Sequence, residues 1–379
     1  MSHSLSTAQW QPSLWAALSL AAFLVGTAFG QSTPTKHWEL SLAATDADLS
    51  PDDHFLAVTL ETPGAPKNGH TEAVESVQVW DYRENRKISS TELATYPKIV
   101  PTPNRVRFTA DGTLLVVSEP TRLHVLDPSS LKSLRLIEPP LGDDFRISEI
   151  ETAPVGHVVI VGANRYVKGL LFAYDLDSGR LLFNSESLYS VSSISWNQDG
   201  TQIAAATPYL CTRAHDTVQI FGTKPWSHLR TLSARNPTSV AFSRERLFLV
   251  ESGSCKGSMF DRHLGLESFD IREWHRQKTL ILRDRDIHDS VSFANGRLVG
   301  DSGKLETRHD WLDATTFGGT VDMQFTVWAG ETPSVWFASP AWPVSVHTPR
   351  PAMSLLRLSR SGKMVMIIHH QNPEVFEIR

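Results

Sequence analysis

Only two cysteines, Cys211 and Cys255, occur in 379 residues, so the chain can close at most one internal disulfide. No basic block of the kind a nucleic-acid groove needs is present: 36 Lys+Arg stand against 41 Asp+Glu, a formal net charge of -5, which makes nucleic acid an unexpected partner. Beyond the first thirty residues no apolar run is long enough to cross a bilayer. From Lys36 onward no apolar period of 3.6 residues marks a helix. Gly-x-Ser-x-Gly, His-Glu-x-x-His and phosphate-loop patterns are also missing, so no catalytic residue, metal or cofactor is assigned by motif. No Asn opens a glycosylation acceptor with a middle residue other than Pro. Hydrophobic residues at 41% nevertheless fill a real core, and the composition is that of a globular chain.

What is present begins with Ser13 to Phe29, an almost wholly apolar segment that ends in Ala28-Phe29-Gly30. Small residues at the first and third places before Gln31 fit a signal-peptidase cut, and no positive stop-transfer flank follows. The expected organisation is a signal peptide over 1–30, a short linker over 31–35 and one folded unit over 36–379. The export signal places the protein in the periplasm or outside the cell. The stretch before the apolar run carries no Lys or Arg, so an uncleaved segment, and with it a membrane association, is the alternative.

The folded part repeats one sentence: a short strand, a tight turn, an apolar strand, a variable gap, a strand ending in an apolar residue and Asp, and a closing strand. It is plainest from Asn104 to Phe108 (NRVRF), through Thr109-Ala-Asp-Gly112, to Leu114-Leu-Val-Val117, then Thr121 to Asp127 and Leu131 to Ile137. Equivalent first turns fall at Ser50 to Asp53, Pro154 to Gly156, Asn197 to Gly200, Ser243 to Arg246, Ala294 to Gly296 and Ser359 to Gly362, giving seven units. Asp-Gly and Asn-Gly tolerate the positive φ of such turns. The second strands are apolar on both sides, as in Val158 to Val161, Ile203 to Ala206 and Met364 to Ile368, which predicts burial on both faces between stacked sheets.

These residues carry a resemblance. Trp80-Asp81, with the diluted forms Leu126-Asp127, Tyr174-Asp175 and Phe269-Asp270, resembles the closing dipeptide of the WD40-like and YVTN-like seven-bladed β-propeller superfamily. The fold class expected is all-β: a seven-bladed propeller of four-stranded antiparallel blades. The seventh unit stops after its third strand, Val375 to Arg379, while Lys36 to Ser41 is surplus at the other end. The resemblance implies that this N-terminal strand closes the last blade. A six- or eight-bladed ring and a β-sandwich are the alternatives.

Turns of an up-and-down meander alternate between two rims. Long second connections at 61–75, 207–216, 251–265 and 301–320 would therefore gather on one of them, and loops on a rigid scaffold are where binding concentrates. Three carry Arg beside His: Arg213 and His215, Arg262 and His263, Arg308 and His309, with Lys67 and His70 in the first loop. Arg offers a planar fork to carboxylate or phosphate oxygens, and His donates or ligates. Solvated local pairs with neighbouring Asp are the alternative role. Cys211 and Cys255 lie one repeat apart, each early in its second connection, and in an exported chain are expected to form a disulfide; two buried thiols are the alternative. On inner strands, Glu149 and Glu151 are two apart and point the same way, with Asp48 and Asp289 on or near others.

The function expected is an exported, monomeric binding scaffold for a protein, peptide or glycan of unknown identity. The alternative is a propeller lactonase, hydrolase or isomerase with a polar or metal site in the central channel.

Overall fold

The computed structural model describes residues 35–40, 44–67, 70–97, 104–142, 144–185, 188–208, 217–251, 265–277, 280–281, 286–287, 291–294, 297–305, 320–329, 335–338, 342–345, 355–369 and 372–378. Every regular element among them is an antiparallel strand. Sheet one is Ala44–Leu49, Phe55–Lys67, His70–Asp81 and Arg86–Pro97. Sheet two is Val106–Phe108, Leu115–Ser118, Leu123–Leu126 and Ser133–Ile137. Sheet three runs through Arg146–Thr152, Val158–Arg165, Lys168–Asp175 and Leu181–Asn184, with Leu188–Tyr189 also paired to its third strand. Sheet four is Ser193–Trp196, Gln202–Thr207, Thr217–Thr223 and Trp226–Ser233. Sheet five is Pro237–Phe242, Arg246–Glu251, Gly265–Asp270 and Leu280–Ile281. The C-terminal sheet joins Leu355–Leu358, Met364–His369 and Asn372–Glu377 to Thr35–Glu39 from the other end of the chain. A further six-stranded sheet, between Asp286 and Ser345, is described by its strand pairing alone.

Ala44–Leu49, the first strand of sheet one, lies beside Val106–Phe108, and so on through Arg146–Thr152, Ser193–Trp196, Pro237–Phe242, Val291–Ala294 and Leu355–Leu358; Met364–His369 packs back on Ala44–Leu49. Small antiparallel sheets in this order are a β-propeller.

The turns follow from a few repeated side chains. At several first turns one polar residue bonds its own N–H to a carbonyl across the turn and accepts the returning N–H on its side chain. Ser50 does so for Phe55, Thr109 for Leu114, Asn197 for Gln202 and Ser359 for Met364. Three residues after that position the chain needs positive φ, met by Gly112, Gly200 and Gly362 and by Asp53. The Asp of each closing dipeptide has its own task, capping the third turn. Asp81 accepts from Glu84 N, Asp127 from Ser129 and Ser130 N, Asp175 from Ser178 N and Asp270 from Arg272 and Glu273 N. Hydrogen bonds from Ser129 and Ser130 hold the Asp127 carboxyl down at about 2.

The core is a series of layers between sheets. Trp38, Leu56, Val58 and Met366 fill the layer between the C-terminal sheet and sheet one; Val77, Val79, Phe108 and Leu115 that between one and two; Val116, Ile150, Val161 and Phe172 that between two and three. Ile160, Ala173, Ile203 and Phe221 continue it between three and four, and Ala204, Ile220, Val240 and Leu249 between four and five. Second strands are buried on both faces, as their apolar runs require: Leu115–Ser118 is buried throughout, and Met364 to Ile368 likewise.

Two expectations are corrected. The sixth-unit connection expected over 301–320 begins with strand, Asp301 to Leu305 pairing with Phe325 to Val321. The second connection of the first unit, expected as a loop over 61–75, is mostly strand: Glu61 pairs with Glu75, Thr62 with Val74 and Lys67 with His70, with a register shift between Pro63 and Pro66. Pro63 and Pro66 fall within these arms, where proline is uncommon. The Asn68-Gly69 dipeptide between the arms is the hairpin signal that outweighs them.

Candidate functional site

The first strands of sheets one to three carry charge at alternate positions, and their side chains meet between the sheets. Asp46 Oδ2 accepts from Val106 N at 3.0 Å and from Arg107 Nη1 at 2.5 Å, and Asp48 Oδ2 accepts from Phe108 N at 2.9 Å. Arg105 donates to the Ser148 carbonyl at 2.9 Å and to Glu149 Oε1 at 2.5 Å. Arg107 Nε and Arg357 Nη1 both reach Glu151 Oε2, each at 3.3 Å, so sheet two, sheet three and the C-terminal sheet meet at one carboxylate. Arg360 bonds Thr152 Oγ1 at 2.9 Å, and Thr152 donates to the Phe108 carbonyl at 2.7 Å.

Arg107 is 1% exposed. Burial works against its charge, but Asp46, Glu151, Asp48 and Glu149 outweigh it and hold the guanidinium above its ordinary pKa. Burial lifts Glu151 to about 7 against the pull of Arg107, and Asp48 and Glu149 are raised for the same reason. The structure thus brings together Glu149, Glu151 and Asp48, as their alternation predicts. Asp289 lies outside the described residues. Sequence reasoning missed Asp46, Arg105, Arg107, Arg357 and Arg360. The signal was there: Asp46/Asp48 and Arg105/Arg107 repeat the two-residue spacing of Glu149/Glu151 on neighbouring units.

The second-connection rim is the other candidate. Arg213, His215, Arg262, His263, Arg308, His309, Cys211 and Cys255 all lie outside the described residues. The residues that flank them in sequence are described. Next to residues 209–216 in sequence, the Thr207 and Thr217 hydroxyls meet at 2.8 Å. Next to 252–264, Glu251 accepts from Arg235 N at 2.7 Å, and Arg276 Nε lies 3.0 Å from Glu267 Oε2. Burial and the Glu267 charge raise Glu251. At the foot of the sheet-one hairpin, Glu75 is 4% exposed, and burial with the charges of Glu61 and Glu119 pushes it up to about 8. Glu119 is bonded by Arg122 and by His124, the latter at 2.9 Å. Among the described residues no three His, Cys, Asp or Glu are grouped to hold a metal ion, and no helix is long and apolar enough to cross a membrane.

No family model and no curated protein matches the chain. Solved structures do match it in fold. One is a chain of the mitotic checkpoint complex, at TM-score 0.58 and 15% identity over 100% of this chain and 99% of that one. Raptor of Chaetomium thermophilum matches at TM-score 0.58 and 11% identity over 92% of this chain and 29% of its own. Hydrazine synthase of Kuenenia stuttgartiensis matches at TM-score 0.51 and 11% identity, over 72% and 74%. The first and the second of these are WD40-type propeller proteins, and at such identities the likeness is one of fold.

Proposed function

We propose that the chain is an exported, monomeric propeller that works as a binding scaffold for a protein, peptide or glycan, through the rim on which its second connections lie. The observation carrying this reading is the contrast between channel and rim. In the channel, Asp46, Asp48, Glu149 and Glu151 are each tied to a neighbouring sheet by a backbone N–H or a guanidinium. At the rim, the buried acids Glu75, Glu119 and Glu251 stand at or next to second connections. The likeness to WD40-type propellers supports protein binding in general. Replacing Arg213, Arg262 and Arg308 together by Ala should abolish binding of an anionic rim ligand with the circular dichroism unchanged. Unchanged affinity contradicts a shared pocket.

The alternative, an enzyme working in the channel, draws on Glu151, a carboxyl poised near neutrality. Its bonds to two arginines from different sheets favour a structural role instead.

We further infer a ring of seven blades, with the Asp286–Ser345 sheet as the sixth and Thr35–Glu39 closing the last. Support comes from the pairing of Thr35 with Glu377 and Trp38 with Val375, and from the bond of Trp38 Nε1 to Asn85 Oδ1 of sheet one at 2.9 Å. A chain beginning at Ala44 should melt lower or aggregate, having lost cross-strand pairs worth roughly 0.2 to 1 kcal/mol each and exposed an edge. Equal melting overturns closure. The Cys211–Cys255 bridge is part of the same reading: alkylation in denaturant before non-reducing mass analysis should find no free thiol.

A further inference from the structure

We propose that His157 is a proton-operated clasp: protonated, it joins the first turn of sheet two to the first and third turns of sheet three, and on losing the proton it keeps Asp111 of sheet two and releases Asp177 of sheet three. The inference is independent of what the second-connection rim binds.

The clasp starts from a turn that lacks an acid. At the first turns of sheets two and four the residue after the positive-φ glycine is a threonine that bonds the carboxylate of its own turn, Thr113 to Asp111 and Thr201 to Asp199. Sheet three turns through Pro154-Val155-Gly156, with no Asp, and places His157 after its positive-φ glycine. The backbone there is fixed, the His157 carbonyl accepting Leu176 N at 2.8 Å. The ring reaches a carboxylate on each side: Nε2 lies 2.9 Å from Asp111 Oδ2, and Nδ1 lies 2.8 Å from Asp177 Oδ1.

A carboxylate oxygen accepts and does not donate, and a neutral imidazole has one N–H, so the two bonds are made together by the imidazolium. The bonds to Asp111 and Asp177 raise His157 above its ordinary 6.5, with burial opposing them. The remaining charged groups around the ring have partners of their own. In the third turns, Asp127 is bonded by Ser129 and Ser130, and Asp175 by Ser178; in the first turn of sheet four, whose Gly200 abuts Pro154, Asp199 is bonded by Thr201. Arg135 of sheet two donates to the Leu176 and Asp177 carbonyls, and Arg180 ends the same turn, its carbonyl accepting Asp175 N.

Without the proton one of the two bonds must go. Asp111 is pinned by Thr109 Oγ1 at 2.7 Å and by Thr113 N and Oγ1 at 3.1 and 2.9 Å. The Asp177 side chain is 69% exposed, and His157 is its hydrogen-bond partner. Water replaces that bond at little cost, whereas Asp111 would have to abandon its turn. The neutral ring therefore carries its proton on Nε2, facing Asp111. The junction of the two sheets is left with one positive charge fewer and a carboxylate open to solvent.

The test records long-range 1H–15N spectra of the imidazoles in the 15N-labelled full chain from about pH 5 to about pH 9, with His157→Gln identifying the resonance. Expected are a midpoint above 6.5 and, past it, the Nε2–H tautomer. Asp111→Asn and Asp177→Asn should each move the midpoint down toward 6.5. Because the folded chain holds the proton more tightly than the unfolded one, the clasp's contribution to stability is full below about 6.5 and is lost as pH rises through the folded midpoint. The gap in urea midpoint between the parent chain and Asp177→Asn should therefore be present at about pH 6 and close above the His157 midpoint. A His157 midpoint at or below 6.5, a neutral ring protonated on Nδ1, or a urea gap that does not change with pH overturns the proposal. So does an equimolar zinc ion that shifts the His157 resonances at about pH 8, which would make Asp111 and His157 metal ligands instead.

Discussion

Where sheet one meets sheet two, Asp46 and Asp48 accept the N–H groups of Val106 and Phe108; where sheet four meets sheet five, Ser193 and Ser195 accept those of Val240 and Phe242, at 3.2 and 3.0 Å. The stitch is the same: two residues, two apart on one inner strand, bond two N–H groups two apart on the next. Only the chemistry differs. Serine satisfies its partner locally and stops there. A carboxylate carries charge into a buried place and needs a cation, so Asp46 brings Arg107, and Arg107 brings Glu151, which in turn takes Arg357 from the far end of the chain. One junction closes two sheets; the other ties several across the channel.

The largest effect should come from breaking the charged stitch at its most buried member. Arg107→Met leaves Asp46 with an uncompensated charge in the interior and should cost about 3–5 kcal/mol in urea unfolding. A loss no larger than that of Ser193→Ala would mean that the charge carries no weight of its own.

The second effect is a pH dependence confined to the charged side. The Glu151 carboxyl lies at about 7 in the folded chain against an ordinary value of 4.5, so the folded state holds a proton that the unfolded state has released. Its contribution to stability is therefore full below about 4.5 and is lost as pH rises through about 7. Glu151→Gln should flatten the fall of the urea midpoint between these values by about one proton's slope, whereas Ser195→Ala should leave the slope as it is. An unchanged slope in Glu151→Gln contradicts the assignment.

The smallest effect belongs to the neutral stitch. Ser195→Ala removes one hydrogen bond to a buried N–H and should cost about 1 kcal/mol, read from the same urea curves. A cost of several kcal/mol would place the two junctions on an equal footing.

The repeated turns were the most legible part of the sequence, because a positive φ at Gly112, Gly200 and Gly362 leaves few residue choices. The doubly buried second strands were legible as well: the apolar runs at Ile203 to Ala206 and Met364 to Ile368 admit no wet face. The sheet-one hairpin was not, since Pro63 and Pro66 punctuate it like a loop while its pairing is decided by residues on the opposite arm. Half of the channel was readable from the spacing of Glu149 and Glu151. Its arginines were not, because an Arg at position 107 or 357 reads as a solvated strand face until the ring brings sheets two and three and the C-terminal sheet to one axis.

The proposed division between a channel that holds the sheets together and a rim that binds depends on the ion pairs crossing from the C-terminal sheet to sheet three. A double-mutant cycle on Arg357 and Glu151, 206 residues apart in sequence, measures that crossing directly. With Arg357→Met and Glu151→Gln, singly and together, a coupling energy of about 0.5–3 kcal/mol is expected in urea unfolding at pH 8. Additivity within about 0.3 kcal/mol would contradict it.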